Sequence, residues 1–422
     1  MAVSQTSGAG YPSVRLAYLV SHPIQYQAPL LRRIAREPGI DLTVFFGSDF
    51  SVRGYQDQGF NVEVQWDVPL LDGYRSEFLP RLRDSGTVSP LNPISRGILQ
   101  RLRMPDGAPA FDALWVHGYA SVNALQGIFA ASALGIPVLL RAESWLADRP
   151  RHPATLAAKE LFFRMLRPAI AAALPIGSRN REYWARYFGP DMPQFLMPYA
   201  VDNAYFAARA QNADTAKLRA ELQLSPNRPV ILFASKLQQR KHADHLLEAY
   251  HRLCFSSDPG PYLVIVGDGE ERQPLETRAT ELGLDGVRFA GFRNQSELPA
   301  FFALAQVFVL PSRHEPWGLI VNEAMACGCC VVVSDDVGAH TDLITNGVEG
   351  FVYPTGNIEA LTNALRQVLS VPGQARRMGE AARSRIAGWD FEADVRGLRA
   401  ALAAVTKRLH TDLDSGFGTR KL

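Results

Sequence analysis

Two glutamates, Glu315 and Glu323, are separated by seven residues in the stretch Pro311-Ser-Arg-His-Glu-Pro-Trp-Gly-Leu-Ile-Val-Asn-Glu323-Ala-Met-Ala-Cys-Gly. The apolar run 307–310 before them reads as a buried strand, and a helix is expected to begin near Gly318. Carboxylates accept hydrogen bonds from vicinal hydroxyls, and the unpaired amides of a helix start attract phosphate. Sugar, ribose and phosphate together describe a nucleotide sugar. Acids are also enriched at helix starts for purely local reasons, so the pair takes its meaning from its neighbours.

Those neighbours are cationic and glycine-rich. Of the 44 basic residues only six are lysines, yet Lys236 and Lys241 share one loop with Arg240, just after the apolar run 230–234. A cationic loop at the carboxyl end of a strand can neutralise a diphosphate, although a solvated basic turn has the same composition. In Leu263-Val-Ile-Val-Gly267-Asp-Gly269 a strand runs into two glycines that would let backbone approach a ligand closely. The third glycine of the dinucleotide fingerprint is missing, and a tight strand-to-helix turn explains the pair equally well. In Phe289-Ala-Gly-Phe-Arg293, Gly291 leaves room for a planar base beside Phe292.

The elements that must position these residues follow an alternating pattern. Strands are expected over 15–21, 41–46, 113–117, 137–141 and 172–176, then over 230–234, 262–266, 287–290, 307–310, 330–334 and 350–352. Helical periodicity follows many of them, which predicts an α/β protein of two doubly wound parallel-sheet, Rossmann-like domains, 1–200 and 201–389. A helix over 390–410 is expected to pack back on the first domain, with 411–422 as a tail. Between 51 and 106 the pattern breaks down, as in a functional insertion or a mobile lobe. Ligands of such sheets bind beyond the carboxyl ends of the strands, so the expected site is a cleft between facing domains.

Bulk composition narrows the class. A chain of 422 residues with 47% hydrophobic and 20% charged residues is an ordinary globular protein, and a net charge of +2 argues against nucleic acid as a partner. Cys327, Cys329 and Cys330 crowd one turn and, with Cys254, fit neither a disulfide framework nor the usual zinc spacings. Small buried hydrophobes in a reducing compartment are expected instead. Residues 1–13 carry no secretory pattern, and the apolar segment 121–140 is too interrupted to span a membrane, which suggests a cytoplasmic location.

Together, the second-half segments resemble the retaining glycosyltransferases of family 4 (glycosyl transferase group 1), which have the GT-B fold. The resemblance is strong over 230–370 and rests chiefly on the spaced glutamates, Ala-Met-Ala-Cys-Gly and Val331-Val-Val-Ser-Asp. It implies that Glu315 contacts the transferred sugar, Glu323 holds the ribose, and the amides of Gly318 and Leu319, beside Trp317, meet the diphosphate. It places Lys236 and Lys241 in the family's basic pair, although arginine is usual at the first position and lysine lacks its bidentate fork. Asp202 matches a linker position. In the first half, Ser21-His-Pro-Ile-Gln-Tyr-Gln27 replaces the frequent glycine pair and resembles a subgroup associated with bacterial surface polysaccharides. There His117 matches a position that reaches the sugar, while Glu143, His22 and Gln25 are acceptor-side candidates.

The resemblance implies retention of configuration with no cofactor and no metal, the nucleotide-diphosphate sugar being a co-substrate. The Asp335-Asp336 pair lacks the spacing of a metal-holding Asp-x-Asp. The acceptor is expected to be a saccharide or lipid-linked hydroxyl. A sugar-nucleotide epimerase or a non-catalytic nucleotide-sugar-binding protein would share the donor chemistry. The arginine-rich region 74–104, interleaved with apolar residues and extended by Lys159, Phe162, Phe163, Arg164 and Arg167, could touch an anionic bilayer peripherally; a solvated lobe is the plainer reading.

Overall fold

The computed structural model describes residues 13–57, 59–84, 86–147, 151–254 and 260–406. In chain order the first half forms β1 (Val14–Val20), β2 (Ile40–Phe46), β3 (Tyr55–Asp57), β4 (Val62–Val64) and β5 (Arg75–Phe78). It continues with β6 (Arg81–Arg83), β7 (Ile94–Ser95), β8 (Ala113–His117), β9 (Val138–Arg141) and β10 (Ala172–Ala173). The second half holds β11 (Val230–Ala234), β12 (Tyr262–Val266), β13 (Val287–Gly291), β14 (Val307–Leu310), β15 (Cys330–Ser334) and β16 (Gly350–Tyr353).

Two six-stranded parallel sheets result, ordered β10-β9-β8-β1-β2-β5 and β13-β12-β11-β14-β15-β16. Their central strands are buried on both faces, which is why the sequence shows continuous Val, Ile, Leu and Phe runs instead of alternation. In each sheet the strand order reverses once, between β1 and β8 and between β11 and β14. Loops leaving the two strands at a reversal splay to opposite sides and open a crevice there. The chemistry-bearing loops after β1, β8, β11 and β14 are those four loops.

The region 51–106 departs from the expected irregular lobe. It supplies β5, which pairs in parallel with β2 at the sheet edge, and two antiparallel hairpins, β3–β4 and β6–β7. Strands of two to four residues, several of them exposed, carry too short a period to be read from sequence. β10 is also shorter than expected, since Pro175 has no amide to continue a ladder.

The helix Phe391–Val405 lays Val395, Leu398, Ala401 and Leu402 against the first sheet, in one cluster with Val14, Leu16, Tyr18 and Trp115. Buried Arg141 ties it down by donating to Asp394 (3.2 Å) and to the carbonyls of Met197 (3.1 Å) and Pro198 (2.8 Å). Residues 407–410 of the expected helix, the expected tail and nearly all of the leader region lie outside the described residues. Cys327, Cys329 and Cys330 are buried free thiols.

Candidate functional site

The site forms where the β11 and β14 loops meet. Behind β14, Gly318 takes a left-handed conformation (φ 90), and a Cβ there would lie 3.1 Å from both Leu310 and Val337. Glycine therefore lets the chain turn tightly into the helix Leu319–Ala326. The amides of Gly318, Leu319 and Ile320 have no protein acceptor among the described residues and border a cleft of about 350 Å³. Asn322 locks this helix to the domain crossing: its amide donates to the Tyr199 carbonyl (2.8 Å) and accepts from the Trp317 indole (2.9 Å). Trp389 donates to the same carbonyl (3.1 Å) and stacks on Trp317 with centroids 5.5 Å apart.

The two glutamates occupy opposite electrostatic settings. Glu315 accepts from Arg240 (3.1 Å) and, more closely, from the ammonium of Lys241, all at the β11–β14 crevice. Burial alone would raise its pKa, but the two cations hold it below the ordinary carboxylate value. Burial and Arg240 pull Lys241 below the ordinary lysine value, against the pull of Glu315. Glu323 is 8% exposed, and its carboxyl meets no hydrogen-bond donor among the described residues. Burial therefore pushes its pKa up to about 8. A buried, unpartnered carboxyl that borders a cleft is an unstable arrangement unless a ligand completes it.

Lys236 reaches away from this pair, donating to both oxygens of Asp57 (2.7 and 2.9 Å) in the first-domain hairpin. Desolvation would raise the Asp57 pKa, but Lys236 and the amides of Phe60 and Gly59 hold it low. Phe292 borders the cleft together with Arg293, Gln295 and Leu298. Gly291 faces open space, its would-be Cβ meeting only an Arg272 nitrogen at 3.7 Å. Gly267 and Gly269 do not border the cleft. A Cβ on Gly267 would stand 1.9 Å from the Ser235 carbonyl oxygen, and one on Gly269 2.4 Å from that of Leu237. These two glycines let the β12 turn pack beneath the lysine loop, the tight-turn explanation of that motif.

Across the cleft, Glu143 accepts from Tyr26 (3.2 Å) and from Tyr199 at short range, with His117 Nε2 at 3.6 Å. Burial works against its ionisation, but His117 and the two hydroxyls prevail and hold its pKa low. Burial and Glu143 push the Tyr26 and Tyr199 hydroxyls well above the usual tyrosine value. The Gln27 amide lies 3.1 Å from His117 Nδ1, joining the β1 and β8 loops at the first sheet's reversal. Gln25 borders the cleft beside Tyr26. His22 stacks on Phe50 at 4.6 Å in an adjoining hollow, and burial and His117 lower its pKa to about 4. Trp317 touches the cleft, but its ring is committed to the crossing between domains. Asp202 caps the helix Asn203–Gln211, accepting from the Tyr205 amide at 2.9 Å.

Several residues of the site had no assigned role in the sequence. Arg240 was visible in the basic loop, and Tyr26 lies between Gln25 and Gln27, but nothing local marked Tyr199, Asp57, Phe60 or Trp66. The arginine-rich region is partly neutralised: Arg75 pairs with Asp41 (3.1 Å), Arg81 with Asp49 (2.6 Å), and Arg101 with Glu77. No helix of the described residues is long and apolar enough to cross a membrane.

The strand–loop–helix carrying Glu315 and Glu323 falls inside a segment, residues 214–385, that matches the family model of glycosyl transferases group 1. Over 171 residues the chain is 34% identical to the lipopolysaccharide core biosynthesis glycosyltransferase LpsE of Rhizobium meliloti, covering 40% of this chain and 48% of that protein. Over 231 residues it is 33% identical to a GDP-mannose-dependent alpha-(1-6)-phosphatidylinositol monomannoside mannosyltransferase of Mycolicibacterium smegmatis, covering 53% and 59%. The chain thus spans about half of the length of these curated relatives.

Solved structures extend the likeness to both domains. HepE of Anabaena, in complex with UDP, superposes with a TM-score of 0.68 at 17% identity, covering 92% of this chain and 100% of that one. A glycosyltransferase of Rickettsia africae gives 0.71 at 16% identity, covering 94% and 99%. At such identities the likeness concerns the fold, which is GT-B, and the matched segment 214–385 lies in its second half.

Proposed function

We propose that this chain is a retaining, metal-independent glycosyltransferase that moves a sugar from a nucleotide-diphosphate donor to a hydroxyl of a saccharide or lipid-linked acceptor. The observation that carries the reading is one cleft bordered by Lys236, Arg240 and Lys241, by the free amides at Gly318–Ile320, and by the buried carboxyls of Glu315 and Glu323. In this reading the amides and cations hold the diphosphate and stabilise its departure, which is where charge develops in the transition state. Glu323 accepts from the ribose hydroxyls. Glu315, ionised and held by Arg240 and Lys241, faces the sugar. From the first domain, Glu143 with Tyr26, Tyr199 and His117 lines the acceptor side, flanked by Gln25 and, in the adjoining hollow, His22.

The named relatives support donors of this class without agreeing on the base, since one is described as GDP-mannose-dependent and another binds UDP. A thermal-shift series with UDP, GDP, dTDP and ADP tests the reading, because a ligand that binds only the folded state raises Tm by mass action. Absence of a shift with all four would refute it. Incubating the matching nucleotide sugar with and without a saccharide acceptor then separates transfer from epimerisation. The first domain also exposes Leu82, Leu91 and Leu99 near its arginines, and Leu161 and Met165 on the helix Pro153–Leu166. We propose that these exposed side chains and the arginines near them meet anionic lipid. Sedimentation with phosphatidylglycerol vesicles, but not with phosphatidylcholine vesicles, is the expected result.

A further inference from the structure

The hairpin β3–β4 belongs to the first domain, yet its tip docks on the donor loops of the second. Asp57 grips Lys236. The Gly59 carbonyl oxygen lies where a Cβ on Gly269 would meet it at 2.9 Å. Just beyond β4, Asn294 donates to the Gln65 carbonyl (2.7 Å), and the Ser296 amide donates to Asp67 (3.1 Å). These contacts deliver two aromatic rings to Phe292. Phe60 meets it edge to face with centroids 4.8 Å apart, and Trp66 approaches it at 6.4 Å. All three rings are only half-buried and border the same cleft as Glu323. One further polar group lies beside the rings: Gln295 is 9% exposed, borders the cleft, and has a buried amide oxygen with no partner.

We infer that the nucleobase of the donor is bound between the domains, lying on the aromatic cluster that the first-domain rings Phe60 and Trp66 build beside Phe292, with the Gln295 amide at the base edge. The inference rests on the nucleotide-sugar reading above and adds to it that donor recognition is shared by both domains. Sugars also pack on aromatic faces, but three rings gathered edge to face at one side of the cleft offer an apolar surface wide enough for a base to lie on. Base–aromatic stacking is sequence-tolerant, since every base has a π-face, so the rings supply affinity and Gln295 supplies choice. Because the cluster draws its rings from both domains, opening the cleft dismantles it, and donor affinity depends on the closed arrangement.

The test is calorimetry on the full chain with UDP, GDP, dTDP and ADP, and with inorganic pyrophosphate as a probe that lacks a base. The expected result is that one nucleoside diphosphate binds the native protein and that Phe60→Ala with Trp66→Ala weakens it ten- to a hundredfold, in the range of lost stacking. Pyrophosphate affinity should fall less than nucleotide affinity, and with Trp66→Ala alone should stay within about twofold, since of the two rings Phe60 is the one under the Lys236 ammonium, at 4.8 Å. Trp66→Phe, which keeps an aromatic face, should restore most of the loss while abolishing nucleotide-induced quenching of tryptophan fluorescence. That quenching readout also decides the matter should the double variant fail to fold. Equal nucleotide affinity in native and double-variant protein would overturn the inference and leave the donor reading standing. Equal losses for nucleotide and pyrophosphate would overturn it too, since the hairpin would then act only through Asp57 and Lys236. Pyrophosphate binding without binding of any nucleoside diphosphate would sink the donor reading and the inference together.

Discussion

Glu323→Gln should make the protein more stable in alkaline solution and worse at holding its donor. The Glu323 carboxyl is buried without a donor, and burial raises its pKa from 4.5 to about 8. Between those values the unfolded chain has released this proton while the folded chain retains it. Stability therefore falls as pH rises through that window, by ~1.36 kcal/mol per pH unit for this group, and levels off above about 8. The ceiling of the penalty is about 5 kcal/mol for a shift of roughly 3.5 units. Glutamine never ionises, but it buries an amide that itself costs ~1–3 kcal/mol without partners. The net gain for the variant is then on the order of 2–4 kcal/mol near pH 9, and it turns into a loss of about 1–3 kcal/mol below about pH 4.5, where the native carboxyl is protonated in both states and only the amide cost remains. Asp394, likewise raised to about 8 by burial despite Arg141, contributes equally to both proteins and drops out of the difference.

Thermal unfolding of native and variant protein at several values between pH 5 and 9 measures that difference, and calorimetry with the matching nucleoside diphosphate measures the loss. Glutamine can accept from one ribose hydroxyl but cannot offer a charged bidentate acceptor, so affinity should fall by about 10- to 100-fold, matching ~1.5–3 kcal/mol for a charged hydrogen bond. Ribose binding also favours the ionised form, so the native protein should release a proton on binding at pH 7 and the variant should not. A Tm difference that does not change with pH, or a variant that binds nucleotide as tightly as the native protein, would refute both the burial argument and the ribose assignment.

Three further outcomes follow from the same geometry. Lys241→Ala should lower turnover by about 100-fold or more, taking ~3 kcal/mol for one lost charge at the leaving group, while Arg240 keeps Glu315 paired and circular dichroism unchanged; near-normal turnover in a folded variant contradicts the diphosphate role. Glu315→Gln should abolish sugar transfer yet leave nucleoside diphosphate affinity within about threefold, because its contact is with the sugar; a parallel collapse of binding by calorimetry would instead make it a structural anchor for the lysine loop. Gly267→Ala should cost several kcal/mol, more than the ~1–3 kcal/mol of ordinary overpacking, because its Cβ would strike backbone at φ +130; an unchanged Tm would show that the β12 turn can move.

The sequence determined the second half of this protein to a large degree. Glu315, Glu323 and the free amides at Gly318–Ile320 lie within one strand–loop–helix, so short-range spacing alone fixes their relation. The buried runs from Val230 to Val352 announce a parallel sheet because strands covered on both faces cannot alternate. The chemistry of the first half was less legible. Glu143 and His117 were visible as strand-end polar residues, but the Tyr26 and Tyr199 hydroxyls that hold Glu143 come from segments 117 and 56 residues away.

Only the tertiary structure decided that Lys241 neutralises Glu315, since that depends on β11 and β14 being neighbours at a reversal of strand order, a property of the whole sheet. It also turned Gly267 and Gly269 from a possible ligand loop into packing glycines, because the groups they accommodate, Ser235 and Leu237, lie on a different strand's loop. The hairpin of Asp57, Phe60 and Trp66 left no trace in the sequence. Its strands are three residues long, and its partners Lys236, Phe292 and Asn294 lie more than 170 residues further along the chain, so nothing local could reveal that the first domain reaches across the cleft to the second.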